Sequence, residues 1–304
     1  MKISVALCKV PAYHRPQVRQ TVRHLFESLE FNVGKTARVL VKPNLVVPGN
    51  CLATTHPEIV RGVCEYLLES GAIVTVGDSP AFGTTRKVAS TIGLETTLRG
   101  LPVKIITLGS PVPVVLPCRI RAGISRHAME ADLIINIPKL KAHSQMRITC
   151  AVKNLFGCIS GFRKALSHCR YGDVSNMFES LILEIHQFLP RQFCVVDAVT
   201  AMDRTGPRTG DPFPMQVMGA SESPAALDTA VYSILGLKPE QVPLWSESRK
   251  RMLPGSFLEE LRFTLDRPKQ LEVAGFRIPK RLIPVTFHPW RLLVGRIRSL
   301  LTRM

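Results

Sequence analysis

The segment from Asp132 to His168 constrains the fold more than any other part of the sequence. It begins with the short apolar run Leu133–Ile137 and passes directly into basic residues. A run of this length and composition is typical of a strand that is buried on both faces of a parallel sheet. In open α/β sheets the ligand crevice lies at the carboxyl ends of such strands. The sequence therefore predicts basic side chains in the segment that leaves a strand at a ligand crevice.

Short apolar runs alternate with segments of helical periodicity along the rest of the chain. Ile3–Leu7 and Arg38–Val41 have the pattern of strands, and Pro16–Phe31 between them repeats apolar residues on one helical face. The alternation continues as far as Phe193–Val196. It predicts an α/β fold in which a mostly parallel sheet is flanked by helices.

The sequence predicts an α/β domain over residues 1–240 and a basic, partly helical extension over residues 241–304. Residues 273–304 contain no acidic residue, and leucines recur there at helical spacing beside arginines. A segment of this kind either docks on its own domain or lies on anionic lipid. The pattern leaves both interpretations open.

The net charge of +17 favours anionic partners, which include phosphorylated metabolites, nucleic acid and an anionic membrane surface. Nucleic acid is the least favoured of these, because aromatic residues make up only 6% of the chain and no recognition motif is present. The cysteines include no CxxC pair, which indicates reduced thiols rather than a disulfide scaffold. We predict a cytoplasmic protein, with a peripheral position at the inner face of the membrane as the alternative.

Two candidate ligand clusters follow early strands. VKPNL at 41–45 leaves Lys42 and Asn44 at the end of a strand. VGDSP at 76–80 places Asp78 and Ser79 between a strand and a helix, where a hydroxyl and helix N–H groups resemble an anion cradle. Surface turns and helix caps have a similar composition, so the structural alternative remains open.

The third cluster concentrates cations. Lys139, Lys141 and His143 fall within five positions and would repel one another unless an anion or a carboxylate neutralises them. Lys153 and Asn154 follow in an apolar, helix-like segment, where a buried charge needs a partner. We expect these side chains to face the same crevice.

The remaining candidates lie downstream. Lys164 and His168 continue the third cluster, and Asp197 ends the strand-like run QFCVVDAV. Gly206 and Gly210 lie in a segment that we interpret as a long loop, where glycine lets backbone approach a bound group. We assign candidate catalytic roles to His143, His168, Asp78 and Asp197. We assign anion binding to Lys42, Asn44, Ser79, Lys139, Lys141, Lys153, Asn154, Lys164, Gly206 and Gly210.

In order, KPN, THPE, GDSP, ADLIINIPKLKAH, AVKNLFG, the spacing from Lys164 to His168, VVDA and TGPRTGDP resemble one family, domain-of-unknown-function family 362. The resemblance extends from residue 3 to residue 240. It implies an α/β fold in which the lysines, asparagines, histidines and aspartates of these motifs form a shared site. The family is also loosely similar to the N-terminal domain of lactate-racemase-like proteins, which implies acid–base chemistry on a small anionic acid.

Many relatives in that family are described as iron–sulfur proteins because a ferredoxin-type segment accompanies the domain. This chain has no CxxCxxCxxxC spacing, and it has no cysteine after Cys194. We therefore expect no intrinsic ferredoxin-type cluster. A metal site built from dispersed Cys158 and Cys169 with histidines is the alternative to ordinary buried thiols, and a divalent metal held by aspartate is a further one.

Two hypotheses follow for function. In the first, the chain is an enzyme that binds a small carboxylate or phosphate substrate and performs acid–base or redox chemistry. In the second, it is a non-catalytic accessory or electron-transfer protein, associated with a metal or an iron–sulfur cluster, that docks on a redox partner protein or on a membrane. No GxGxxG, Walker or GxSxG motif is present to name a cofactor or a nucleophile.

Overall fold

The computed structural model describes residues 2–161, 163–172 and 176–283. Strands β1 to β7 span Ile3–Lys9, Arg38–Pro43, Ile73–Asp78, Lys104–Thr107, Pro111–Val115, Arg121–Ser125 and Leu133–Ile137. Strands β8 to β13 span Lys139–His143, Arg147–Thr149, Arg191–Asp203, Asp211–Phe213, Val217–Ser221 and Leu261–Phe263. Helices α1 to α5 span Arg15–Ser28, Pro57–Glu69, Thr85–Thr91, Leu94–Thr97 and Arg126–Met129. Helices α6 to α10 span Ala151–Leu155, Arg163–Tyr171, Met177–Ile185, Pro224–Ile234 and Pro243–Lys250.

The central sheet has the strand order β13-β1-β12-β10-β7-β2-β3-β4. The five neighbours from β10 to β4 are parallel to one another, whereas β12 is antiparallel to both β10 and β1. Crossovers through helices connect the parallel strands, as parallel pairing requires. The predicted α/β fold with a mostly parallel sheet is confirmed.

Helices cover both faces of this sheet. Successive side chains of β2 point to opposite faces of the sheet. Val39 and Val41 join the core beneath α1 and α2, whereas Leu40 joins the core beneath α6 and α8. Phe26 of α1 packs against Phe193 of β10 with ring centroids 4.8 Å apart. Burial on both faces explains why the central strands are almost continuously apolar.

Lys139–His143 form strand β8 rather than the loop that the sequence suggested. Pro138 has no N–H to donate and separates this strand from β7. Beyond the proline the chain pairs with the long strand β10, where Lys139 lies opposite Asp197. Alternate residues of a strand share a face, so both lysines of β8 project in the same direction.

The glycine-rich segment after residue 200 is a β-hairpin rather than a long loop. Strand β10 continues to Asp203, and β11 returns antiparallel to it with Ala201 opposite Phe213. The connecting loop is therefore confined to residues 204–210, because cross-strand pairing continues to Asp203 opposite Asp211. This hairpin carries both candidate glycines.

Residues beyond 240 pack on the same sheet as far as the structure describes them. Trp245 of α10 and Leu271 join the core beneath α9, and β13 pairs in parallel with β1. Of the basic stretch predicted at 273–304, residues 284–304 lie outside the described residues.

Candidate functional site

Polar side chains meet near the carboxyl ends of the adjacent strands β7, β2 and β3, beside the middle of the longer strand β10. The strands bring Asp197, Asn136, Lys42 and Asp78 to this region, and β8 adds its two lysines. All six of these side chains are buried. We call Lys42, Lys139, Lys141, Lys153 and Lys164 the lysine cluster.

Lys42 and Asp78 form an ion pair in the interior. Lys42 Nζ lies 2.8 Å from Asp78 Oδ1, and Lys42 is fully buried. The ammonium donates a hydrogen bond to the Pro43 carbonyl at 3.3 Å and approaches Oδ1 outside hydrogen-bond geometry. Asp78 Oδ2 accepts the N–H of Leu45 at 2.7 Å. A Cβ at Gly157 would lie 2.5 Å from Lys42 Nζ, so backbone without a side chain covers the pair.

A second buried pair joins Lys139 to Asp197, with Nζ 3.0 Å from Oδ2. The Tyr13 hydroxyl donates to Asp197 Oδ1 at 2.7 Å and accepts from Lys139 Nζ at 2.9 Å and from the Thr200 N–H at 3.0 Å. The His56 N–H donates to Asp197 Oδ2 at 2.8 Å, and the His56 ring stacks on Tyr13 at 3.7 Å. Burial, reinforced by the charge of Asp197, raises the pKa of Tyr13, so the phenol stays protonated.

Lys141 is held by neutral groups. Its ammonium donates to Asn44 Oδ1 at 2.7 Å and to the Ala53 carbonyl at 2.9 Å. Asn44 Nδ2 donates to Asn154 Oδ1 at 2.6 Å, and Asn154 Nδ2 donates to Asn136 Oδ1 at 2.8 Å. Together with Lys141, this chain of amides connects β8, the residue after β2 and β7 to α6. Burial, followed by the charges of neighbouring lysines, lowers the pKa of Lys141 to about 7.

Lys153 and Lys164 are both half-buried. Lys153 Nζ lies 4.4 Å from the centroid of the Phe156 ring and 5.6 Å from that of Phe178. Burial lowers the pKa of Lys153 to about 7, and the charges of Lys164 and Lys42 add to this effect. Burial also lowers the pKa of Lys164 to about 8, against the attraction of the Asp78 carboxylate.

Both candidate histidines are neutral at physiological pH. His143 Nδ1 accepts the N–H groups of Gln145 and Met146 at 3.1 and 3.3 Å, which leaves the proton of the neutral ring on Nε2. Gln145 Oε1 lies 2.9 Å from His168 Nδ1. Burial lowers the pKa of His143 well below its ordinary value, and burial with the charge of Lys153 lowers that of His168 to about 2.

The other candidate residues pack against their own chain. The Ser79 hydroxyl accepts the N–H of Gly161 at 3.1 Å. A Cβ at Gly206 would lie 1.9 Å from the Ala142 carbonyl oxygen of β8, and one at Gly210 would meet atoms of its own hairpin. Close approach of backbone therefore requires glycine at both hairpin positions. Their contact with a ligand stays a prediction.

Candidate metal ligands are dispersed. Within 2–161, 163–172 and 176–283, no group of three histidine, cysteine, aspartate or glutamate side chains could hold a metal ion. Burial raises the pKa of the Cys158 thiol to about 12. The side chain of Cys169 lies outside the described part of the molecule. The two candidate carboxylates, Asp78 and Asp197, each contact a lysine ammonium.

Four residues of this region were not identified from the sequence, namely Tyr13, His56, Asn136 and Gln145. Asn136 carried a usable signal, since an asparagine inside the apolar run LIINI must find partners if that run is buried. Gln145 links the two histidines, which no spacing rule indicates. Tyr13 reaches Asp197 across 184 positions of sequence, a separation at which local patterns give no information.

The fold and this site define an α/β protein with a buried, lysine-rich polar cluster near the carboxyl ends of its parallel strands. The chain belongs to the family described as domain of unknown function 362 (DUF362), whose model matches residues 39–233. The resemblance noted in the sequence motifs is thereby confirmed.

A thylakoid-associated protein from Synechocystis sp. is 34% identical over 298 residues, which cover 95% of this chain and 92% of that protein. Solved structures are more distant. The lactate racemase apoprotein from Thermoanaerobacterium thermosaccharolyticum has 12% identity and a TM-score of 0.45 over 73% of this chain. A Thermotoga maritima protein has 13% identity and a TM-score of 0.41 over 65% of this chain. The chain spans about half the length of these two structures, 55% and 53%.

None of the helices in the described ranges combines the length and the apolar character that a membrane-spanning helix needs.

Proposed function

We propose that this chain binds a small carboxylate or phosphate anion in the lysine cluster and carries out acid–base chemistry on it. The observation that carries the proposal is an imbalance of charge. Of the five lysines, Lys42 and Lys139 are paired with carboxylates. Within the described residues, the ammonium groups of the other three have no carboxylate at ion-pair distance.

The positive charges of these lysines repel one another. Burial is the main reason why the pKa values of Lys141 and Lys153 fall toward neutrality. The charges of Lys153, Lys139 and Lys42 add to the effect on Lys141, against the attraction of Asp78. The charges of Lys164 and Lys42 add to the effect on Lys153. A bound anion raises these pKa values because it stabilises each ammonium. Binding should therefore be accompanied by proton uptake near pH 7.

The same imbalance supports acid–base chemistry. A side chain exchanges protons most effectively when its pKa lies near the working pH. Lys141 and Lys153 meet this condition, with pKa values of about 7. The neutral rings of His143 and His168 are suited to hydrogen bonding with the ligand and become stronger bases when an anion lies beside them.

The test is titration calorimetry with inorganic phosphate and with acetate at constant ionic strength. Two variants are compared with the wild-type chain, Lys164→Met in the cluster and Lys269→Met at an exposed position. We expect Lys164→Met to weaken binding about tenfold, a change of roughly 1.4 kcal/mol, and Lys269→Met to have no effect. Equal affinity in all three proteins, or no binding of either anion to the wild-type chain, would refute the proposal.

A further inference from the structure

Lys153 differs from the other members of the lysine cluster in its surroundings. Lys42 and Lys139 are ion-paired, and Lys141 is held by two oxygen acceptors. Within the described residues the Lys153 ammonium has no hydrogen bond and no ion pair. Its contacts are with two aromatic rings, at 4.4 Å and 5.6 Å from their centroids.

The imidazole of His168 packs against the same two aromatic rings. His168 meets the Phe156 ring edge-on with centroids 5.4 Å apart and lies against Phe178 at 4.5 Å. Gln145 Oε1 contacts the His168 ring at Nδ1, 2.9 Å away. The amine of Lys153 and a neutral imidazole therefore contact the same two aromatic rings.

The charge environment favours the free amine at this position. The aromatic faces attract a cation. Burial and the charges of Lys164 and Lys42 act in the opposite direction and bring the pKa of Lys153 to about 7. Among the residues that the structure describes, no carboxylate charge acts on Lys153, in contrast to Lys164, on which Asp78 acts. A lysine placed on an apolar surface beside another cation is the arrangement in which the amine becomes a nucleophile.

We propose that Lys153 forms an imine with a carboxylate or phosphate anion that also carries an aldehyde or ketone group. This inference rests on the proposed function, because the remaining cluster lysines would hold the anionic group while Lys153 attacks the carbonyl carbon. The amine nitrogen forms a bond to that carbon, and the C=O double bond opens to a carbinolamine. Loss of one water molecule then gives the C=N bond, and no oxidant or reductant is consumed. The two protons of the neutral amine leave with the former carbonyl oxygen in that water molecule.

Borohydride trapping tests the inference directly. The wild-type chain is incubated with pyruvate or with dihydroxyacetone phosphate near neutral pH, reduced with sodium borohydride, and analysed by intact mass and by peptide mapping. Hydride addition converts the imine into a stable secondary amine, so the mass increases by that of one probe molecule less one oxygen atom. We expect a single adduct on Lys153 with at least one probe, and the two probes report whether a carboxylate or a phosphate is preferred.

Lys153→Arg provides the matched variant, since it retains a cation but cannot form the imine. It should show no specific adduct under the same trapping conditions. Mapping of the wild-type adduct does not depend on this variant folding. An adduct on Lys141 or Lys164, or one spread over exposed lysines, overturns the assignment.

Phosphate binding is measured on the same samples, which separates this inference from the proposed function. If the wild-type chain binds phosphate but neither probe is trapped, the imine is refuted and the anion site stands. If the wild-type chain binds neither phosphate nor the probes, both are refuted.

Discussion

The buried pair between Lys42 and Asp78 gives the most direct energetic test of the site. Asp78→Asn keeps an oxygen that can accept the N–H of Leu45 but removes the charge opposite Lys42. Removing one partner of a buried pair costs about 3–5 kcal/mol because the other charge is left uncompensated.

A double-mutant cycle converts this reasoning into a measurement. Urea unfolding is recorded for wild type, Asp78→Asn, Lys42→Met and the double variant. We expect each single variant to lose about 3–5 kcal/mol of unfolding free energy, and the double variant to lose much less than the sum, because no buried charge remains unpaired. The coupling energy should therefore exceed about 2 kcal/mol.

The exposed pair Arg126–Glu130 serves as the control cycle. Its side chains are 60% and 56% exposed and approach to 3.4 Å, so solvent screening should hold its coupling energy below about 1 kcal/mol. If the buried cycle is additive, or couples no more strongly than this exposed pair, the claim that Lys42 depends on Asp78 is wrong.

Three further predictions concern the surroundings of the cluster. Gly157→Ala should destabilise the fold by about 1–3 kcal/mol in urea unfolding, since the new methyl group would lie 2.5 Å from Lys42 Nζ. Tyr13→Phe should cost about 1–3 kcal/mol by the same measurement, because it removes the hydroxyl that donates to Asp197. The pKa of His168 is lowered from 6.5 to about 2, so the unfolded chain takes up this proton first as the pH falls. Unfolding free energy should decrease below pH 6.5 by up to about 1.4 kcal/mol per pH unit, and His168→Asn should remove that part of the decrease.

Each of these has a matched control at a position without the same contacts. Gly34→Ala should be neutral, because no atom lies within 4 Å of the added Cβ. Tyr66→Phe should change stability little, since the Tyr66 hydroxyl makes no hydrogen bond in the described part of the chain. His24→Asn replaces an exposed imidazole and should leave the acid dependence unchanged. Equal effects in a test variant and its control would contradict the corresponding prediction.

The central sheet was predictable because strands buried on both faces appear in the sequence as short, almost continuously apolar runs. Leu133–Ile137 is short, β-branched and apolar, and the structure places it between β10 and β2. Strand β8 was harder to predict, since Lys139 and Lys141 give it the composition of a solvated turn. Its pairing with β10 is a long-range interaction, and a short basic segment gives no local indication that a distant strand will bury it.

The cluster itself was anticipated only in part. The sequence indicated that the cations of β8 require neutralisation, and the structure supplies Asp197 for Lys139. It does not follow from sequence which lysine receives a carboxylate, because that depends on strand order. In this sheet β2 is the neighbour of β3, so Lys42 meets Asp78, whereas Lys141 reaches the Asn44 amide instead.

The distribution of unsatisfied groups argues that the surplus charge belongs to function rather than to folding. Among the described residues, Asp78 Oδ1, Ser125 Oγ and Thr229 Oγ1 are the buried side-chain oxygen or nitrogen atoms without a hydrogen bond, and the first of these contacts an ammonium. The interior is otherwise well satisfied. The amide network of this chain is complete, whereas the lysine cluster has fewer carboxylates than ammonium groups. The unpaired lysines add no stability to the fold, because burial and mutual repulsion both disfavour their charges. Under the proposed function, an anion bound in the cluster would offset that cost, and the repulsion among the lysines would then contribute to ligand affinity.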